Sequence, residues 1–336
     1  MPQSDPDPAL PGRAGGRRFP LPPDLGKRSP SRLVLFLPFC LLLLDSGCLQ
    51  RRAQSPESRE ASSSSLRITC TDGIGRSLEL PSHPQRIISL APSVTEVLYL
   101  LGADDRLIGV CSHCDWPEDV RNKPRIGTLL SPNYEAIIAS RPDLVIGSTA
   151  GNDRTATLKL ADFGLPLFVT APRSVASIYD TVRAIGRITD CNQRGEELVE
   201  RMKARIGRIE DRVRGLPPVR AFFITWFDPL LAPGRQTFEN DVLRLANVLS
   251  ISGDVDEFYP RYSLEQVIAR DPDVILTVEH EGSPLPNLRK LAGWKDLRAV
   301  RTGRVYVLTE AFQHPSPRFI DGLEQLAAKL YTERFP

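Results

Sequence analysis

The sequence predicts an α/β fold: two Rossmann-like lobes with central parallel sheets, joined by a single long helix. Three observations point there. From Leu66 onward, short β-branched runs alternate with stretches of helical periodicity, the pattern of parallel sheets covered on both faces. A helix–turn–strand segment occurs twice. Between the two copies stands one charged amphipathic stretch.

That stretch runs from Gln193 to Leu216, with apolar residues at Leu198, Met202, Ile206, Ile209 and Val213. Spacings of three and four place them on one face of a helix. Gly215 and the Pro217–Pro218 pair end it. The repeat pairs Tyr134–Ile146 (YEAIIASRPDLVI) with Leu264–Leu276 (LEQVIARDPDVIL). Each copy reads as a short helix, a Pro-Asp turn and a buried strand. Gly164–Thr170 and Gly303–Thr309 echo each other in the same way.

The expected organisation is a leader with a signal peptide (1–47), a flexible tether (48–65), an N-terminal lobe (66–190), the interlobe helix (191–216) and a C-terminal lobe (217–336). Residues 1–32 are rich in Pro, Gly and Arg and build no core. Leu33 to Leu44 is an apolar run preceded by positive charge, too short to span a membrane and suited to a signal-peptide core. Export is the expected fate. Ser46-Gly47-Cys48 resembles a lipobox, so Cys48 is the expected acylation site, although Asp45 departs from the apolar residue that pattern prefers. Ser62–Ser65 belongs to a polar tether.

Loss of residues 1–47 removes 6 of the 43 basic and 4 of the 41 acidic residues, leaving 37 of each. A neutral chain without a basic cluster argues against nucleic acid as a partner. Of the six cysteines, Cys70, Cys111, Cys114 and Cys191 remain once Cys40 leaves and Cys48 is acylated. Cys111-Ser-His-Cys114 has no second ligand pair spaced for zinc. It reads as buried thiols or a local disulfide, with a redox pair as the alternative.

In chain order, Leu66–Cys70 and Ser77–Leu80 flank the Asp72-Gly73 turn as a hairpin. Arg86–Leu90 is a buried strand leading through Ala91-Pro92 into a helix. Ser93 and Glu96 form an expected capping box there, at a helix start that faces the ligand edge of the sheet. Further strands are expected at 107–110, 144–147, 167–170, 219–226, 274–278 and 305–308. Helices are expected at 154–163, 175–188, 238–246, 285–291 and 319–331.

Arg86–Glu96 (RIISLAPSVTE), Cys114–Pro117 (CDWP), Pro124–Gly127 (PRIG), Arg141–Val145 (RPDLV) and Ser316-Pro-Arg318 together resemble the periplasmic cobalamin- and iron-siderophore-binding proteins of ABC importers, and most of all the cobalamin-binding branch. The resemblance covers Leu66 to Pro336. It implies a ligand held between two lobes that a rigid helix joins. Carried over by position, His113 stands where that branch has a cleft tyrosine, Leu129 where it has a tryptophan, and Tyr259 where it has a second tryptophan. Trp226 and Phe312 are expected at strand ends facing the same gap. Glu135 and Glu265 match the glutamates that dock onto arginines of the two permease subunits.

The resemblance therefore implies a monomeric solute-binding protein with no cofactor and no catalytic residues. Its small-molecule ligand would be a corrinoid, and its partner an ABC permease dimer with its ATPase subunits. It would act in the periplasm or on the outer face of the cytoplasmic membrane, held there by lipid if Cys48 is acylated. A ferric siderophore or haem, bound through Arg318 and cleft aromatics, is the alternative ligand. Metal capture by His113, His280 and His314 lacks an acidic residue evidently placed to complete the set. Among enzyme signatures, G-x-S-x-G, a strand-following G-x-G-x-x-G and the P-loop are all missing.

Overall fold

The computed structural model describes residues 66–278 and 285–335. The leader, Cys48, the tether and His280 lie outside them. A hairpin of β1 (Arg67–Thr71) and β2 (Ser77–Pro81) opens the described chain. Its turn is tied by the Asp72 carboxylate, which accepts from Ile74 N, Arg76 N and the Arg76 guanidinium. Gly73 must be glycine: a Cβ there would stand 2.5 Å from Ala171 N.

The first lobe then runs β3 (Ile87–Ser89), α1 (Pro92–Leu100), β4 (Leu107–Val110), α2 (Tyr134–Ala139), β5 (Leu144–Ser148), α3 (Arg154–Asp162), β6 (Leu167–Thr170) and α4 (Val175–Ile188). After α5 (Asn192–Val213), the second lobe runs β7 (Val219–Ile224), α6 (Phe238–Leu245), β8 (Val248–Ser250), α7 (Leu264–Arg270), β9 (Val274–Val278), α8 (Arg298–Arg301), β10 (Val305–Leu308) and α9 (Phe319–Leu330). The sheets are β4-β3-β5-β6 and β8-β7-β9-β10, parallel throughout. In both, the lobe's second strand lies outside its first, followed by the third and fourth. The two lobes share one topology.

The repeat extends to side-chain bonding. Asp143 accepts from Gln85 N and Arg86 N, while the Arg86 guanidinium donates to the carbonyls of Ser140 and Arg141. In the second lobe Asp273 accepts from Arg220 N, and Arg220 donates to the carbonyl of Arg270. In each lobe this arginine–aspartate pair ties the start of the first strand to the end of the repeat helix. Arg141 and Asp271, the matching residues after those helices, both take left-handed backbone (φ 45 and 33).

Strand alternation divides each sheet between two cores. Ile87, Leu144 and Ile146 face one cluster, and Ile88 and Val145 the opposite one. In the second lobe Ala221, Phe223, Val274 and Leu276 face the first cluster, whereas Phe222, Ile224 and Ile275 face a third. The first cluster is therefore common to both lobes, and Leu198, Met202, Ile206 and Ile209 of α5 complete it.

Helix α5 has 22 residues and a length of about 33 Å. All five apolar positions of its expected stripe are buried. It is bonded to the first lobe through Arg194 to the carbonyls of Leu101 and Gly102, and through Glu196 to Arg183. Toward the second lobe Arg205 pairs with Asp321 and Glu324 of α9, both at 2.7 Å.

One expectation is corrected, and one strand was missed. The helix expected at 285–291 is a single 3-10 turn, Leu288–Lys290: Pro286 lacks an N–H, and the Asn287 side chain caps Arg289 N. Strand β8, only three residues after the Ala246-Asn247 turn that ends α6, was too short for a period-2 pattern to announce it.

A continuous helix inside a shared core resists bending, because a kink breaks backbone hydrogen bonds. Small-angle scattering should show little change in radius of gyration on ligand addition, and a large fall would contradict this. Met202→Ala should lower unfolding free energy by about 2–5 kcal/mol in a denaturant titration, since it empties a site that both lobes close.

Candidate functional site

A cavity of about 520 Å³ is lined by segments at the carboxyl ends of the strands of both lobes. Doubly wound sheets offer ligand sites at this edge. The first lobe contributes Pro92 and Ser93 after β3, Leu129, and Thr149 to Gly151 after β5. The second contributes the start of α6, the loop with Phe258 and Tyr259, and Gln313 to Pro315 after β10.

Phe258 and Tyr259 keep about half their surface exposed, which buried core rings do not. The Tyr259 hydroxyl donates to the Glu239 carboxyl at 3.1 and 3.3 Å. Glu239 is buried on the cavity wall, and burial pushes its carboxyl above the usual range. Burial beside Glu239 also raises the Tyr259 phenol. The cavity therefore combines aromatic surface with a buried acid whose carboxyl burial raises.

At one border of the cavity the lobes are pinned together. Glu96 of α1 is 1% exposed. One of its oxygens lies 3.0 Å from His314 Nδ1 and 2.9 Å from an Arg318 guanidinium nitrogen. Ser316 Oγ donates to the other. The Arg318 guanidinium also lies over the Trp116 ring, 4.5 Å from its centroid. Burial pushes Glu96 up, but the bonds from His314 and Ser316 and the Arg318 charge outweigh it and hold the carboxyl low. Burial pulls His314 down, and Glu96 more than restores it, leaving the imidazole raised.

This corrects the capping-box expectation. The α1 cap is Ala91, without a side-chain bond, and Pro92 occupies the first turn. With the helix entered through proline, Glu96 is released from capping and reaches across the gap. The spacing of Ser93 and Glu96 suggested a local role because the partner lies some 220 residues away in the chain. Ser316-Pro-Arg318, the other half of the contact, was visible only as part of a resemblance.

Of the residues expected to bind ligand, Leu129 and Tyr259 line the cavity. His113 is exposed on the turn after β4 and is not in the cavity wall. Trp226 is 40% exposed, also outside the wall, and its indole N–H donates to the Asp228 carbonyl. Phe312 is corrected to core: it has no exposed surface and stacks on Phe223 at 5.4 Å. Arg318 is engaged by Glu96 rather than turned to the cavity. His314 does have an acidic neighbour, Glu96, yet among the described residues no group of three or more His, Cys, Asp or Glu converges as a metal site. Sequence reading missed Glu239, Phe258 and Gln313, which carry no motif of their own.

The pinning cluster gives a signed pH dependence. Glu96, depressed in the fold, contributes stability that is present above its unfolded value and lost as pH falls through the folded one. His314, raised, contributes stability that is complete below its unfolded value and lost as pH rises through the folded one. Glu96→Gln should lower unfolding free energy by about 2 kcal/mol at neutral pH. That is less than the ~3–5 kcal/mol for breaking a fully buried pair, because Arg318 and His314 keep 21% and 25% of their side-chain surface. Thermal midpoints of both proteins across pH should converge in acid. Parallel curves would refute the assignment.

The chain matches the periplasmic binding protein family over residues 87–311. An uncharacterised ABC transporter substrate-binding lipoprotein of Bacillus subtilis, YvrC, is 26% identical over 298 residues, covering 86% of this chain and 94% of its own. The periplasmic vitamin B12-binding protein BtuF of Vibrio cholerae superposes with a TM-score of 0.65 at 27% identity, over 75% of this chain and 99% of that one. The periplasmic haem-binding protein RhuT of Roseiflexus sp. RS-1 gives 0.66 at 27% identity, over 74% and 99%. Matched over most of its two-lobed body, the chain belongs to the periplasmic binding protein family and is a substrate-binding protein of the ABC-importer type.

Proposed function

We propose that this protein captures cobalamin or a related corrinoid outside the cytoplasmic membrane and hands it to its permease. The observation that carries this reading is the interlobe cavity, where Tyr259 keeps a ring at a position matched to a tryptophan of the cobalamin branch, while Leu129 departs from that pattern. Half-exposed rings at Phe258 and Tyr259 suit a broad, flat ligand. The similarity to a vitamin B12-binding protein supports the same class. Calorimetric titration with cyanocobalamin should give one site per chain. Tyr259→Ala should weaken binding by about 1–3 kcal/mol, by loss of ring contact. An unchanged titration would remove Tyr259 from the site.

Haem or a ferric siderophore is the second reading, favoured by a phenol and an imidazole, Tyr259 and His314, on the same wall and by the similarity to a haem-binding protein. Visible spectra with haem separate the two readings. A shifted Soret band together with a flat cobalamin titration would select haem.

Docking is assigned to Glu135 and Glu265, exposed in the first turns of α2 and α7. Asn133 and Ser263 cap those helices, so the glutamates are not needed as caps. Two matched charges on a pseudo-symmetric binder suit a two-fold permease dimer with its ATPase subunits. Reversing both to Lys should abolish transporter-dependent uptake while soluble affinity stays unchanged, and surviving uptake would defeat the assignment. The export reading places acylation at Cys48. Cys48→Ser should release the protein from membranes with ligand binding intact.

A further inference from the structure

The Cys-x-x-Cys of the first lobe lies outside the cavity wall, and its geometry is specific. Cys111 closes the strand region of β4, and Cys114 N donates to the Cys111 carbonyl at 3.1 Å, folding the segment into a tight turn. The Arg125 guanidinium then donates to both carbonyls, Cys111 at 3.0 Å and Cys114 at 2.7 Å, so the turn is held from outside. Its two sulfurs stand 2.9 Å apart, and both side chains are buried.

That separation discriminates between uses. Two thiolates sharing a zinc ion at about 2.3 Å each, in tetrahedral geometry, stand roughly 3.8 Å apart. The pair is already closer than that, and among the described residues no group of three or more metal-ligating side chains exists. The nearest polar neighbour of Cys114 is the Thr95 hydroxyl at 3.2 Å, a poor zinc ligand. A disulfide at about 2.03–2.05 Å needs the sulfurs to approach by only about 0.9 Å.

We propose that Cys111 and Cys114 are a disulfide site, a covalent staple across the turn after β4. The inference rests on the export reading for its oxidant, the disulfide of an exported thiol-oxidising carrier protein or of glutathione. One cysteine thiolate attacks a donor sulfur, forming a mixed disulfide and expelling one donor thiolate. The second cysteine attacks the mixed disulfide, the Cys111–Cys114 bond forms, and the second donor thiolate leaves. The protein loses two protons and two electrons, and the donor is reduced to two thiols. Burial in the folded lobe means oxidation precedes closure of the turn.

The staple has a consequence at the interlobe contact. Two residues beyond Cys114, Trp116 carries the ring on which Arg318 rests, and Thr95 precedes Glu96. The bond thus fixes the first-lobe side of the cluster that pins the lobes.

The test uses the whole chain in two preparations, one secreted by expressing bacteria and purified without reductant, the other reduced, denatured and refolded in a glutathione redox buffer. Each is denatured in excess iodoacetamide and digested with trypsin, and the peptide Leu107–Arg121, which holds both cysteines, is weighed. The expected peptide is unalkylated and lighter by two hydrogens, and it gains two alkyl groups only after reduction. Two alkylated thiols in the refolded preparation, or pairing with Cys70 or Cys191, overturn the proposal. Alkylation confined to the secreted preparation leaves the site standing and overturns its oxidation by a carrier met during export. As a second measurement, the Cys111→Ser/Cys114→Ser variant should unfold a few degrees lower, as the reduced wild type does. Equal midpoints for oxidised and reduced wild type would overturn the role as a staple.

Discussion

The architecture depends on one apolar stripe, the inward face of α5. Leu198, Met202, Ile206 and Ile209 belong to a cluster that also takes in the inner faces of both sheets. Burial of apolar area is non-directional, so such a stripe by itself would accept many partners. What selects one arrangement is that the same helix is tied at each end by charged bonds. Arg194 and Glu196 bind the first lobe, and Arg205 binds α9 of the second. The lobes are covalently successive but energetically one body along this helix. The lobes also meet at the border of the cavity.

At that edge the opposing requirement appears. A ligand site between lobes needs a gap, and a gap exposes sheet edges and loop carbonyls to water. The Glu96 cluster spans it with directional bonds instead of apolar burial. Ion pairs of this kind add little net stability, because desolvation consumes most of the Coulombic gain. Their contribution is geometric: Glu96, its three polar partners and the Trp116 ring converge only when the lobes have one relative position. His314 belongs both to this cluster and to the cavity wall, so the cavity and the lobe contact share a residue.

Duplication explains why so much of the fold was readable in the chain. The paired segments at 134–146 and 264–276 fold into matching units, down to the arginine–aspartate ties and the left-handed residues after each helix. Period-2 and period-3.6 patterns, caps and glycine stops are local, so they survive in the sequence without knowledge of neighbours. Elements were missed where local signals were short or contradictory: β8 has three residues, and the helix expected at 285–291 contains Pro286. Leu129 and Tyr259 were placed by position within a resemblance, whereas Phe312 was placed by its expected strand end. A ring near a strand end turns to core or cleft according to what packs beside it, and Phe223 lies beside Phe312.

By itself the sequence determined the two α/β lobes, the helix between them, and the family to which their motifs belong. The lobes and the helix follow from spacing along one stretch of chain, and the family from the resemblance of its motifs. Tertiary structure alone decided that Glu96 leaves its helix cap for His314, Ser316 and Arg318, and that Glu239 sits buried against Tyr259. It also decided that Cys111 and Cys114 face each other across a turn held by Arg125. The physical reason is the same in each case. A polar side chain's partner is set by which groups meet in space once apolar burial has fixed the backbone. Sequence periodicity encodes that burial and carries no record of which polar groups meet.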